Sequence, residues 1–84
     1  MRQRADWMVP ADDAILEYLA DAGEVPPAVI GRNIDSHPNY VGERCRTLAE
    51  YGLVDRREDG YYAVTDQGQA YLAGDIDADQ FDSE

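Results

Sequence analysis

The 84-residue chain contains no lysine; its seven basic residues are all arginines, set against 18 acidic residues for a net charge of −11. Cysteine is almost as scarce. Cys45 stands alone, which excludes an internal disulfide framework, and its place on an apolar helical stripe marks a core thiol rather than a reactive one. The single histidine, His37, has no patterned nucleophile beside it. Neither a phosphate-binding glycine loop nor a metal-ligand spacing occurs, so catalytic residues, metal, cofactor and small-molecule substrate are all expected to be absent. Asp12 and Asp13 form an acidic pair, but no third ligand lies at usable spacing. No apolar run reaches the length of a membrane span and no signal-peptide pattern opens the chain, so a cytoplasmic protein without a membrane partner is expected. What is left is a binding protein built on one modest core, with an ordinary apolar fraction of 44 %.

The charge pattern bears on what such a protein can bind. Aspartate outnumbers glutamate twelve to six. An acidic, lysine-free composition resembles that of proteins from extreme halophiles, whose surfaces work in molar salt where charges are screened over ~3 Å. In dilute salt a net charge of −11 would weigh heavily against DNA, because phosphate neutralisation supplies much of the affinity. At molar salt that contribution is small for any protein, and shape and directed hydrogen bonds matter more. The local balance also differs from the total: residues 32–57 hold five arginines and four acids.

That window contains the most strongly signalled element. Ser36 is a good N-cap, Pro38 sits where a first-turn proline is tolerated, and Val41, Cys45 and Leu48 recur at one-turn spacing before Gly52 closes the helix. The opposite face carries Asn39, Glu43, Arg46 and Glu50, flanked by Gly42 and Thr47. Upstream, Pro10 opens a first helix with Asp12 and Asp13 in the first turn, where carboxylates oppose the helix dipole favourably, and with Ile15, Leu16 and Leu19 as the buried stripe until Gly23. Pro26 forces Val25 into an extended conformation. Pro27 then starts a short second helix to about Asn33, and a tight corner at Asp35 and Ser36 leads into the central helix.

Downstream, Leu53–Glu58 and Tyr61–Thr65 read as strands joined by a two-residue Asp59-Gly60 turn whose central positions require positive φ. Val54, Tyr62 and Val64 are expected to face the helices and Tyr61 to face outward. Thr65 caps a last helix that runs to Gly74. Three segments follow: an arm at 1–9, whose Trp7 packs on the domain, a body at 10–74, and an acidic tail at 75–84 with Ile76 and Phe81 as its only sizeable apolar groups. The tail is either solvated or associated with a dimer partner. The fold class is mainly α with a small β-hairpin (α+β).

Helix, turn, helix and hairpin in this order resemble the winged helix-turn-helix domain of prokaryotic transcription regulators. More narrowly, Ala5-Asp6-Trp7-Met8, Ile15-Leu16-Glu17-Tyr18-Leu19, Arg44-Cys45-Arg46, Leu48-Ala49-Glu50-Tyr51-Gly52-Leu53-Val54 and Tyr71-Leu72-Ala73-Gly74 resemble small haloarchaeal repressor-like proteins similar to a halophage repressor. The resemblance implies a transcriptional regulator, a repressor, that binds double-stranded DNA as a homodimer, with helix 37–51 for recognition and residues 56–62 as the wing. Val9 and Pro26 depart from the family by standing where a capping Ser or Thr is usual. Glu43 departs by holding an outward position often basic in such proteins; it repels phosphate unless it accepts from cytosine N4 or pairs with an arginine.

Side-chain chemistry then assigns expectations to each position. Asn39 suits adenine, Arg46 suits guanine or a phosphate, and Gly42 permits close approach. His37 and Tyr40, near the helix start, suit backbone phosphates, and Thr47 borders the same face. Arg56 and Arg57 would reach phosphate or the minor groove from the wing, whereas Arg44 lies nearer the core border and suits a structural or phosphate role. The competing expectation is a winged-helix adaptor that binds protein, in which these arginines would be paired and an apolar patch at Tyr61 or Phe81 exposed.

Overall fold

The structure, a computed structural model, describes residues 4–75; the arm residues 1–3 and the tail residues 76–84, with Ile76 and Phe81, lie outside the described residues. In chain order the elements are α1 (Pro10–Ala22), α2 (Pro27–Ile34), α3 (Pro38–Glu50), β1 (Val54–Arg56), a 3-10 turn (Glu58–Gly60), β2 (Tyr62–Val64) and α4 (Asp66–Ala73). This is the mainly α architecture with a β-hairpin that the sequence predicts.

Pro10 takes the first position of α1, where a missing N–H is no loss, and Val9 before it offers no side-chain cap. Asp12 supplies the cap from inside the helix, its carboxylate accepting the Val9 N–H at 3.1 Å. Asp12 also shares the phase of Ile15, Leu16 and Leu19, three, four and seven residues on, and is fully buried with them. It therefore faces the helix N-terminus, as its first-turn position suggests, and is in addition part of the core.

Val25 is extended before Pro26 as expected, and it exchanges two backbone hydrogen bonds with Tyr62, at 3.2 and 2.9 Å, adding a one-residue edge to the hairpin. The corner between α2 and α3 is tight. Asp35 adopts a left-handed conformation with φ of 59°, and the Ser36 N–H closes on the Gly31 carbonyl at 2.9 Å. A Cβ at position 31 would lie 2.6 Å from the Ser36 carbonyl oxygen, a backbone atom that cannot give way cheaply, so glycine is required there. Ser36, expected to cap α3, stands one residue before the cap, with its backbone N–H closing α2. The cap is His37, whose Nδ1 accepts the Asn39 N–H at 3.1 Å ahead of Pro38.

The apolar stripe of α3 points inward as predicted, with Val41, Cys45 and Leu48 fully buried. Its end follows the expected glycine stop: beyond Tyr51, Gly52 has φ of 81° and the Leu53 N–H returns to the Leu48 carbonyl at 3.0 Å. In the hairpin, Val54, Asp55 and Arg56 pair with Val64, Ala63 and Tyr62. Asp59 and Gly60 both have positive φ, 61° and 78°. The strands are nonetheless shorter than predicted. The Arg57 N–H bonds to the Tyr61 carbonyl, so three residues rather than two span the tip and the ladder breaks early. At the other end Thr65 leaves the sheet to cap α4, accepting the Gly68 N–H at 3.0 Å and donating to the Gly52 carbonyl at 2.7 Å.

These elements close one core around α1. Ile30, Leu53, Val54 and Tyr71 complete it, and the otherwise buried Tyr71 satisfies its hydroxyl by donating to Asp13 at 2.6 Å. The outward half of α3 remains uncovered.

Candidate nucleic-acid interface

With Val41, Cys45 and Leu48 committed to the core, helical geometry presents Asn39, Glu43 and Arg46 together on the opposite side, and all three are exposed. They border a cleft of about 480 Å³ between α2 and α3, completed by Pro27, Pro38 and Gly42. Gly42 does not flank the open face as expected. It is buried at the floor of this cleft, and a Cβ there would meet the Arg46 Nη1 at 3.6 Å and the Pro27 ring at 4.0 Å, ordinary contact distances.

At the start of α3, His37 and Tyr40 are both exposed, Tyr40 at 41 %. Because His37 Nδ1 accepts the Asn39 amide, Nε2 is the ring nitrogen left to donate from this exposed side chain beside the helix N-terminus. Thr47 is half-buried and its hydroxyl donates to the Glu43 carbonyl at 3.2 Å, so its hydrogen-bonding capacity is partly used within the helix. Arg56, Arg57 and Tyr61 are exposed on the hairpin. Arg57 lines a separate depression together with Asp55, Thr65 and Asp66, away from the α2–α3 cleft.

The arginines divide into two sets. Arg44 grips the fully buried Asp12 through two hydrogen bonds, Nε to Oδ1 at 2.8 Å and Nη2 to Oδ2 at 2.7 Å, and Nη2 also donates to the Trp7 carbonyl at 3.2 Å. Hydrogen bonding to Asp12 raises the Arg44 pKa above its ordinary value, against the opposing effect of burial. Arg4 pairs with Asp13 at 3.1 Å. Arg46, Arg56 and Arg57 form no ion pair among the described residues, nor does Glu43.

One residue of the arm, Trp7, braces this face from behind through two contacts. Trp7 stacks on Tyr51 at the end of α3, with ring centroids 4.0 Å apart and planes 13° from parallel. The Trp7 carbonyl holds Arg44. Sequence reasoning expected Trp7 to pack but missed Asp12 as the partner of Arg44. The available signal was phase: an aspartate in register with Ile15, Leu16 and Leu19 must go inward and needs a cation. Cys45 is an inert core thiol, with burial pushing its pKa up to about 12. Among the described residues no group of three or more His, Cys, Asp or Glu could hold a metal ion, and no helix is long and apolar enough to cross a membrane.

A helix pair joined by a tight corner, an uncovered second helix and a hairpin at its flank define a winged helix-turn-helix. The chain belongs to the winged helix-turn-helix phage repressor family, whose sequence model matches residues 1–84. It is 34 % identical over 87 residues to the repressor protein of Halobacterium phage phiH, covering 98 % of each chain. It also superimposes on the crystal structure of the PhiH1 repressor-like protein from Haloarcula marismortui with a TM-score of 0.90 and 31 % identity, covering 100 % of this chain and 98 % of that one. MarR from E. coli, at 16 % identity, shares the fold alone, with a TM-score of 0.74 over 83 % of this chain and 52 % of its own. The sources of the first two relatives agree with the halophilic character expected from the composition and with the archaeal one implied by the resemblance. The family is one of regulators, and the chain is not an enzyme.

Proposed function

We propose that the protein is a cytoplasmic transcriptional repressor that binds double-stranded DNA sequence-specifically as a homodimer. In this reading α3 enters the major groove, Asn39 and Arg46 contact base edges, and His37 and Tyr40 contact the adjoining phosphates. Thr47 borders the contact and Gly42 lets the cleft floor approach closely. Arg56 and Arg57 reach flanking backbone or the minor groove. A two-fold dimer would place its half-sites about one helical turn apart, ~34 Å.

The observation that carries this reading is the sorting of the arginines. Arg44, at the core border, is held by Asp12, while Arg46, Arg56 and Arg57 are exposed without an ion-pair partner among the described residues. A protein-binding adaptor in an acidic chain would be expected to have those arginines balanced by its own carboxylates. The test is binding to a fragment of the protein's own upstream region and to a scrambled fragment, across roughly 0.5 to 3 M KCl, a range that keeps surface charges screened. Selective binding is expected, and Arg46→Ala should weaken it by about 1–3 kcal/mol. Folded protein without selectivity at any salt concentration would favour the adaptor instead.

A further inference from the structure

We infer that Glu43 is a specificity-determining residue that accepts a hydrogen bond from the exocyclic amino group of a cytosine, at a base pair between those contacted by Asn39 and Arg46. This rests on the reading of α3 as the DNA-reading helix and adds to it the base that the anionic position selects.

Glu43 has two arginines within three residues, yet it pairs with neither. Arg44 is committed to both carboxylate oxygens of Asp12 and to the Trp7 carbonyl, and Glu43 acts on it only through space. Arg46 shares the α2–α3 cleft with Glu43 without an ion pair among the described residues. The result is a carboxylate without an ion-pair partner among the described residues in the middle of the exposed face. From Asn39 to Glu43 the helix rises ~6 Å and from Glu43 to Arg46 ~4.5 Å, so the three side chains span about three base-pair steps.

Base chemistry then decides what a carboxylate can meet. It has only acceptors to offer, so phosphate oxygens, guanine O6 and N7, and thymine O4 all oppose it. Adenine presents an N6 donor beside an N7 acceptor, which also repels the second carboxylate oxygen. Cytosine presents the N4 donor beside its own C5–H, where adenine has the N7 acceptor. An amide at Asn39 and a guanidinium at Arg46 are the complementary readers on either side. In a chain already at −11, the anion weakens every non-cognate complex, and the cytosine contact offsets this only at the correct site.

The test is selection from a DNA library randomised over one half-site, at about 1 M KCl so that surface charge is screened. The full-length protein would be compared with its Glu43→Gln and Glu43→Ala variants, each checked for folding by circular dichroism. The wild-type protein should enrich cytosine at one position, by about 5- to 150-fold over the other bases. Glu43→Ala should lose the preference at that position alone while keeping the rest of the selected motif and binding scrambled DNA more tightly. Glu43→Gln should shift the preference towards adenine, which a carboxamide reads. A wild-type motif unchanged in Glu43→Ala, or a preferred base other than cytosine at the position that Glu43→Ala releases, overturns the inference and leaves the DNA-binding reading standing. Absence of any selected motif for the wild-type protein refutes both.

Discussion

Arg44 and Arg46 are separated by one residue, and that 200° of helical rotation gives them different physical tasks. Arg46 projects into solvent at the cleft. Arg44 reaches back to the fully buried Asp12, and its guanidinium satisfies both carboxylate oxygens. Removing one member of such a pair leaves the other charge buried without compensation. Arg44→Ala should therefore destabilise the domain by about 3–5 kcal/mol, a large part of the total expected for so small a fold. Denaturant titration of the two proteins checks this. A loss below about 1 kcal/mol, the range of an exposed ion pair, would show that the contact contributes little.

At the scale of elements, the fold fixes the pose of α3 from three directions. The α2–α3 corner, with Gly31 against the Ser36 carbonyl, sets its start. Arg44 and Asp12 tie its middle to α1. The stack of Trp7 on Tyr51 braces its end. Gly42 stands apart from this scaffold, because a methyl group there would meet neighbours only at 3.6 and 4.0 Å. Gly42→Ala should consequently fold and gain up to about 1 kcal/mol from helix propensity, while binding its operator less tightly if the cleft floor approaches the groove. Thermal melting and a titration with operator DNA separate the two effects. Gained stability with undiminished binding would assign Gly42 to helix packing alone. The elements were largely legible beforehand because Pro10, Pro27, Pro38, Gly23, Gly52 and Gly74 mark most of the helix starts and stops, and Thr65 marks another. The hairpin was less so: its turn residues were read correctly, but strand length depended on the Arg57–Tyr61 pairing, which local propensity does not encode.

For the whole molecule, the controlling quantity is the excess of 18 acidic over seven basic residues. Lowering KCl from about 2 M to 0.1 M lengthens the screening distance several-fold, to ~10 Å, and self-repulsion across the surface should lower the melting temperature. The cost of Arg44→Ala should remain nearly the same across this range, because the Asp12 carboxylate is buried where salt does not screen it. Melting curves at several KCl concentrations for both proteins make the comparison. A melting temperature independent of salt would remove the case for adaptation to molar salt.

The amino-acid sequence by itself determined the order of elements, the inward stripes of α1 and α3, the positive-φ turn at Asp59 and Gly60, the Thr65 cap and the acidic excess. Each follows from neighbours in the chain or from composition, through periodicity, backbone restriction and charge counting. Tertiary structure alone decided that Asp12 is a buried partner of Arg44, that Val25 becomes a sheet edge beside Tyr62, that His37 rather than Ser36 caps α3, and that Gly42 forms the floor of a cleft. For Asp12 and Val25 the partner lies tens of residues away in sequence; Ser36 is drawn into closing α2, and Gly42 is placed by α2 packing on α3. Local chemistry states what each group needs, but only the closed fold determines which group supplies it.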